Sequence, residues 1–133
     1  MKPTLVDSNI LLDLATKDPN WSEWSAAALE RAGDEGVIAV NPIVYAEVSV
    51  YASSMEELNQ SLEDFEYWPL PREAGFLAGK MYGKYKRNGG TRGTPLPDLY
   101  IGAHAMVLGC RVLTRDVRRF KTYFPLLELI APE

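Results

Sequence analysis

One cysteine and one histidine stand in 133 residues. Cys110 has no partner for an internal disulfide, which favours a reducing compartment, and between Gly109 and Arg111 it reads as a small buried hydrophobe. So few soft ligands exclude the zinc-finger sets, and any bound metal is expected to be a hard ion held by oxygen. No apolar stretch approaches the ~20 residues of a membrane span. Met1-Lys2-Pro3-Thr4 runs straight into an apolar strand, without the three-part form of a secretory signal, so a cytoplasmic location is expected. Internal repeats and low-complexity tracts are also missing. What remains, at 47% hydrophobic residues, reads as one domain over residues 1–133 with a sizeable core.

Positive charge is scarce overall but concentrated. The net charge is −4, yet ten of the 14 Lys and Arg fall between Lys80 and Lys121. Only two of the 18 acids, Asp98 and Asp116, lie in that interval. The chain therefore has an acidic first half and a basic second half. A charge run is ordinarily a solvated face; here the only acids inside it are two with unusual surroundings, which favours phosphate binding.

Strand and helix patterns alternate. Thr4-Leu5-Val6 reads as a short buried strand, and the residues from Ser8 to Ala15 as a helix capped by Asp7 or Ser8. Asn20 or Ser22 opens a second helix that stops near Gly33, and Gly36 to Val40 forms the clearest strand. Asn41-Pro42 begins a helix, Ser54 to Glu57 resembles a capping sequence, and Tyr67 to Leu70 suits an edge strand. Arg72 to Arg87 reads as a helix despite Gly75, Gly79 and Gly83, each costing ~1 kcal/mol against Ala. A loop over Asn88 to Pro95, a helix from Asp98 to Leu108, a strand from Arg111 to Thr114, a helix from Val117 to Tyr123 and a strand from Leu126 to Ile130 complete the chain. This alternation predicts a parallel sheet covered on both faces, with its binding site outside the carboxyl ends of the strands.

Four carboxylates then stand out. Asp7 follows Thr4-Leu5-Val6, Glu47 lies inside Ile43 to Val48, Asp98 opens the apolar run from Leu99 to Leu108, and Asp116 comes just past Val112-Leu113-Thr114. An ionised carboxylate beside a packed core is costly unless a cation or several donors compensate it. Asp7, Asp98 and Asp116 would each equally suit a helix cap. Glu47 is harder to explain so, having no cation at i±4. Together the four suggest one shared, positively charged partner.

Val6-Asp7-Ser8-Asn9-Ile10-Leu11-Leu12, Tyr45-Ala46-Glu47-Val48, Pro97-Asp98-Leu99-Tyr100-Ile101-Gly102-Ala103 and Leu113-Thr114-Arg115-Asp116 with Phe120 run in order along the whole chain. This ordered set resembles the PIN-domain ribonucleases, most closely the VapC-type toxins of bacterial toxin–antitoxin pairs. The resemblance implies an α/β, three-layer fold with a central parallel sheet of four or five short strands flanked by helices. It implies Mg2+- or Mn2+-dependent endoribonuclease activity, homodimerisation and inhibition by a cognate antitoxin of a type II pair. Asp7, Glu47, Asp98 and Asp116 match the acidic quartet, and Ser8, Asn9 and Thr114 match the small polar residues beside it.

The chemistry agrees with that implication. Divalent ions fixed by carboxylates can supply the nucleophilic water, the charge relief and the leaving-group stabilisation that phosphodiester cleavage needs. Asp7 and Asp98 are expected to bind metal directly, and Glu47 and Asp116 through water or at a second ion. Lys84, Lys86, Arg87, Arg92, Arg115, Arg118 and Arg119 are candidates to hold the RNA backbone, and Tyr82, Tyr85 and Tyr100 to stack on bases, although aromatics at helical spacing are more often core. Trp21, Trp24, Tyr51, Met55, Leu58 and Leu62 suit either the core or a dimer or antitoxin face, and His104 is expected to pack or to face solvent rather than catalyse. A receiver domain would want an acidic pair at the first strand and a late lysine, and a haloacid-dehalogenase-type phosphatase an Asp-x-Asp; Asp7-Ser8-Asn9 and Thr114-Arg115-Asp116 supply neither. The alternative from another class is a non-catalytic PIN-fold module that binds RNA or a partner.

Overall fold

In the computed structural model, residues 1–93 and 96–133 are described. Five strands, β1 (Thr4–Val6), β2 (Ile38–Val40), β3 (Glu66–Tyr67), β4 (Arg111–Leu113) and β5 (Leu129–Ile130), form one sheet in the order β3-β2-β1-β4-β5. Every pairing is parallel, as the strand–helix alternation predicts. In β1 the pleat sends Leu5 and Val6 to opposite faces. Leu5 and Val112 pack with Val44, Ile101, Ala105 and Phe120 on one side; Val6 and Leu113 pack with Ile10 and Ala32 on the other.

Seven helices among the described residues cover those faces: α1 (Ser8–Ala15), α2 (Ser22–Glu35), α3 (Pro42–Ser49), α4 (Met55–Ser61), α5 (Arg72–Arg87), α6 (Pro97–Leu108) and α7 (Arg118–Tyr123). Two caps form as their sequences indicate. The Asn41 side chain accepts from Val44 N at 2.9 Å with Pro42 in the first turn, and Ser54 Oγ accepts from Glu57 N at 3.1 Å. α6 is apolar over most of its length because Leu99 and Ile101 to Ala105 are buried, while Met106, Val107 and Leu108 at its end are exposed; α5 is laid against it through Ala74 and Ala78 on Leu99 and Ala103.

Differences from expectation lie at element ends. The second strand begins at Ile38 rather than Gly36, the third is Glu66–Tyr67, and the last shrinks to Leu129–Ile130. α2 runs on to Glu35, with Gly36 after it. The cap of α6 falls on Leu96, leaving Asp98 inside the first turn with its side chain uncommitted to capping. Of the loop expected over 88–95, Thr94 and Pro95 lie outside the described residues. Cys110 is buried, as expected, and of the two places open to His104 the structure takes the buried one; Asn41 Nδ2 lies 3.1 Å from His104 Nδ1.

Candidate active site

Sheet register builds the first half of the site. Val6 pairs with Leu113, so Asp7 and Thr114 leave the sheet side by side. Asp7 N donates to Leu113 O at 2.9 Å, and the Thr114 hydroxyl donates to Asp7 Oδ2 at 2.8 Å. Ser8 N donates to Asp7 Oδ1 at 2.7 Å, so Asp7 is at once the cap of α1 and a buried carboxyl, 4% exposed. Asn9 Nδ2 reaches both Asp7 Oδ2, at 3.4 Å, and Thr114 Oγ1, at 3.3 Å. The Ser8 hydroxyl points the other way and donates to Glu47 Oε1 at 3.0 Å, linking α1 to α3. Ser8, Asn9 and Thr114 therefore tie Asp7 and Glu47 into one hydrogen-bonded group.

Electrostatics bring in the other two acids. Burial pushes Asp7 up to about 7, with the Asp98 charge the next cause and Glu47 a smaller one. Glu47 is raised by burial and then by Asp98, against the Ser8 hydrogen bond. Asp98 is itself raised, by burial first and by Asp116, against its contact with Arg119. Asp98 is thus the hub through which the four carboxylates sense one another. The sign matters: without a cation this pocket holds more negative charge than its surroundings stabilise. Its oxygen donors and surplus charge fit a hard divalent ion.

The quartet is not drawn tightly together. Among the described residues, no three His, Cys, Asp or Glu side chains stand close enough to hold a metal ion as they lie. Arg119 Nη1 sits 3.4 Å from Asp98 Oδ2, and Arg118 Nε 3.3 Å from Asp116 Oδ1. Arg118 holds Asp116 below its ordinary range.

Other basic candidates divide. Lys84, Lys86, Arg87 and Arg92 are exposed, near the end of α5 and in the loop that leads to α6. Arg115 is committed elsewhere, clamped by Asp13 through two hydrogen bonds of 2.8 and 2.9 Å. Tyr82 and Tyr85 stack on each other rather than standing free, and the Tyr82 hydroxyl donates to Arg92 O at 2.9 Å. Leu58 is core, whereas Tyr51 and Met55 are exposed. Asp13 and Ser25 escaped the sequence reading. The signal was there for Asp13: a carboxylate within Ile10-Leu11-Leu12-Asp13-Leu14 is as misplaced as the other four.

The PIN domain family model matches residues 4–124. The chain belongs to the PIN domain family. Among solved structures, this PIN chain superposes on VapBC2 from Rickettsia felis, bound to a promoter DNA fragment, with a TM-score of 0.73 and 25% identity over 98% of this chain and 99% of that one. VapBC-1 from nontypeable Haemophilus influenzae gives 0.73 at 20% identity, covering 97% of each chain. FitAcB from Neisseria gonorrhoeae gives 0.68 at 18%, covering 96% of each. No curated protein matches the PIN chain in sequence. No helix among the described residues is long and apolar enough to cross a membrane.

Proposed function

We propose that this PIN chain is a Mg2+- or Mn2+-dependent endoribonuclease and the toxin of a type II toxin–antitoxin pair. The observation that carries the reading is the Asp7 pocket: a buried carboxyl held by Ser8 and Thr114, raised by burial and by the charges of Asp98 and Glu47. Asp7 and Asp98 would hold the ion, with Glu47 and Asp116 completing its surroundings. When bound, the ion supplies charge relief on the phosphoryl oxygens and activates water near neutral pH. The chain's own part is orientation. Thr114 and Ser8 N aim Asp7, the Ser8 hydroxyl aims Glu47, and Arg118 and Arg119 place positive charge beside the acids for an incoming phosphate.

The deciding measurement is cleavage of a single-stranded RNA with Mn2+, with Mg2+ and with EDTA, beside Asp98→Asn. Metal-dependent cleavage is expected in the wild type, with a loss exceeding about 100-fold in Asp98→Asn, since outer residues of metal sites already cost 10–100-fold. Equal rates in the two proteins refute the assignment. Replacing Arg87 and Arg92 together by Ala is expected to weaken RNA binding and to lower the slope of log affinity against log salt by about 1–2, a phosphate contact being worth ~0.7 on single strands. An unchanged slope removes those two residues from the RNA path.

An antitoxin partner is supported by the toxin–antitoxin complexes that superpose on the chain and by an apolar groove where α1, α3 and α4 meet, lined by Leu11, Leu12, Val48, Tyr51, Leu58 and Leu62. A homodimer is part of the same reading.

One observation favours a second reading, a non-catalytic PIN-fold module: Asp98 and Asp116 each face an arginine, and no three acids converge as a ligand set among the described residues. Thermal stability separates the two. A site that takes Mn2+ raises the melting temperature with concentration by mass action, whereas an inert module does not respond.

A further inference from the structure

The least exposed carboxylate among the described residues is not one of the quartet. Asp13, 2% exposed, lies on α1 one turn beyond Asn9. Its Oδ2 accepts from Arg115 Nε at 2.8 Å and its Oδ1 from Arg115 Nη2 at 2.9 Å. Ser25 of α2 donates to the same Oδ2 at 2.8 Å, and the Trp21 ring centre lies 5.4 Å from the guanidinium. Two helices and the segment between them thus converge on one arginine side chain.

The backbone of that arginine belongs to the site. Arg115 stands between Thr114, whose hydroxyl holds Asp7, and Asp116, whose charge reaches Asp98. Its N–H donates to Asn9 Oδ1 at 3.4 Å, and Asp116 N donates to Thr114 Oγ1 at 3.1 Å. A buried ion pair is weak evidence for stability, because well-packed apolar residues often replace it without loss. What a bidentate arginine–carboxylate pair adds over an apolar contact is fixed geometry.

We infer that Asp13, assisted by Ser25 and Trp21, is the positioning residue of the Thr114–Asp116 segment: by clamping Arg115 it keeps the Thr114 hydroxyl on Asp7 and the Asp116 carboxylate beside Asp98. Arg115 is accordingly an internal strut, not an RNA contact. The inference rests on the metal-site reading above and concerns which residues hold that site in shape.

The test titrates Mn2+ against two readouts in the whole protein, melting temperature and cleavage of a single-stranded RNA. Asp13→Asn keeps the shape and removes the charge; the double variant Asp13→Leu/Arg115→Met replaces the pair by apolar groups of similar size. Both are expected to need about 10- to 100-fold more Mn2+ for half-maximal thermal shift and half-maximal cleavage, the range for residues that orient metal ligands. The double variant is expected to melt close to the wild type, and it carries the test should Asp13→Asn fail to fold. A wild-type Mn2+ midpoint in the folded double variant overturns the inference while leaving the metal site intact. A raised KM for RNA with that midpoint unchanged also overturns it, making Arg115 a substrate contact. A wild-type protein whose stability ignores Mn2+ brings down the metal reading, and this inference with it.

Discussion

Asp7→Asn is expected to make the metal-free protein more stable at pH 8 while abolishing the metal-dependent cleavage proposed above. The two effects have one cause. Burial, the Asp98 charge and, less, Glu47 raise the Asp7 carboxyl from 3.8 to about 7. Between those values the folded state binds the proton that the unfolded chain releases, so this group's contribution is complete below pH 4 and is lost as pH rises through 7. At 1.36 kcal/mol for each tenfold difference, the loss is on the order of 4 kcal/mol for a carboxyl 4% exposed. Glu47 and Asp98 are raised as well and act in the same direction. Buried His104 acts oppositely, since burial lowers it and stability falls as pH drops below 6.5. Asparagine can still accept from Ser8 N and carries no charge. Urea unfolding in EDTA from pH 4 to 8.5 should therefore show wild type and variant converging near pH 4, separating progressively between pH 4 and 7 and levelling off above 7, the variant higher. With Mn2+ the order should narrow or reverse, because the ion stabilises only the protein that retains the carboxylate. Parallel curves across that pH range would mean that Asp7 ionises freely and that the pocket is not charge-strained.

Gly102→Ala is expected to cost about 3 kcal/mol, whereas Gly79→Ala should gain about 1 kcal/mol. Both glycines lie inside helices, where alanine is intrinsically preferred. A Cβ on Gly102 would meet Phe124 Cδ2 and Cε2 at 2.4 Å, and Phe124 is only 4% exposed, so neither side can yield cheaply. A Cβ on Gly79 meets nothing within 4 Å. Thermal melts should thus move in opposite directions, by roughly 10 °C down and about 4 °C up. A neutral Gly102→Ala would show that α6 and the residue after α7 do not approach as closely as described.

Much of this architecture was legible along the chain. Short buried runs bounded by capping residues announce strand–helix alternation, and alternation leaves a parallel sheet as the economical packing; Asn41 and Ser54 cap where their types indicate. Asp7 and Asp116 follow strands, so topology alone sends them to one end of the sheet. Strand lengths were less legible. Leu126 to Ile130 is apolar but for Glu128, yet only Leu129 and Ile130 pair with β4, because an edge strand lasts only as long as its neighbour offers partners.

Local pattern settled the identity of the elements, the acids that interrupt them and the family these residues resemble, since capping, periodicity and the cost of a misplaced charge are written within a few residues of one another. Which arginine faces Asp98, which glycine touches a ring, and that Arg115 reaches back across the chain to Asp13 were decided by packing. Those partners lie 21, 22 and 102 positions apart, and no short-range preference encodes a contact over such distances.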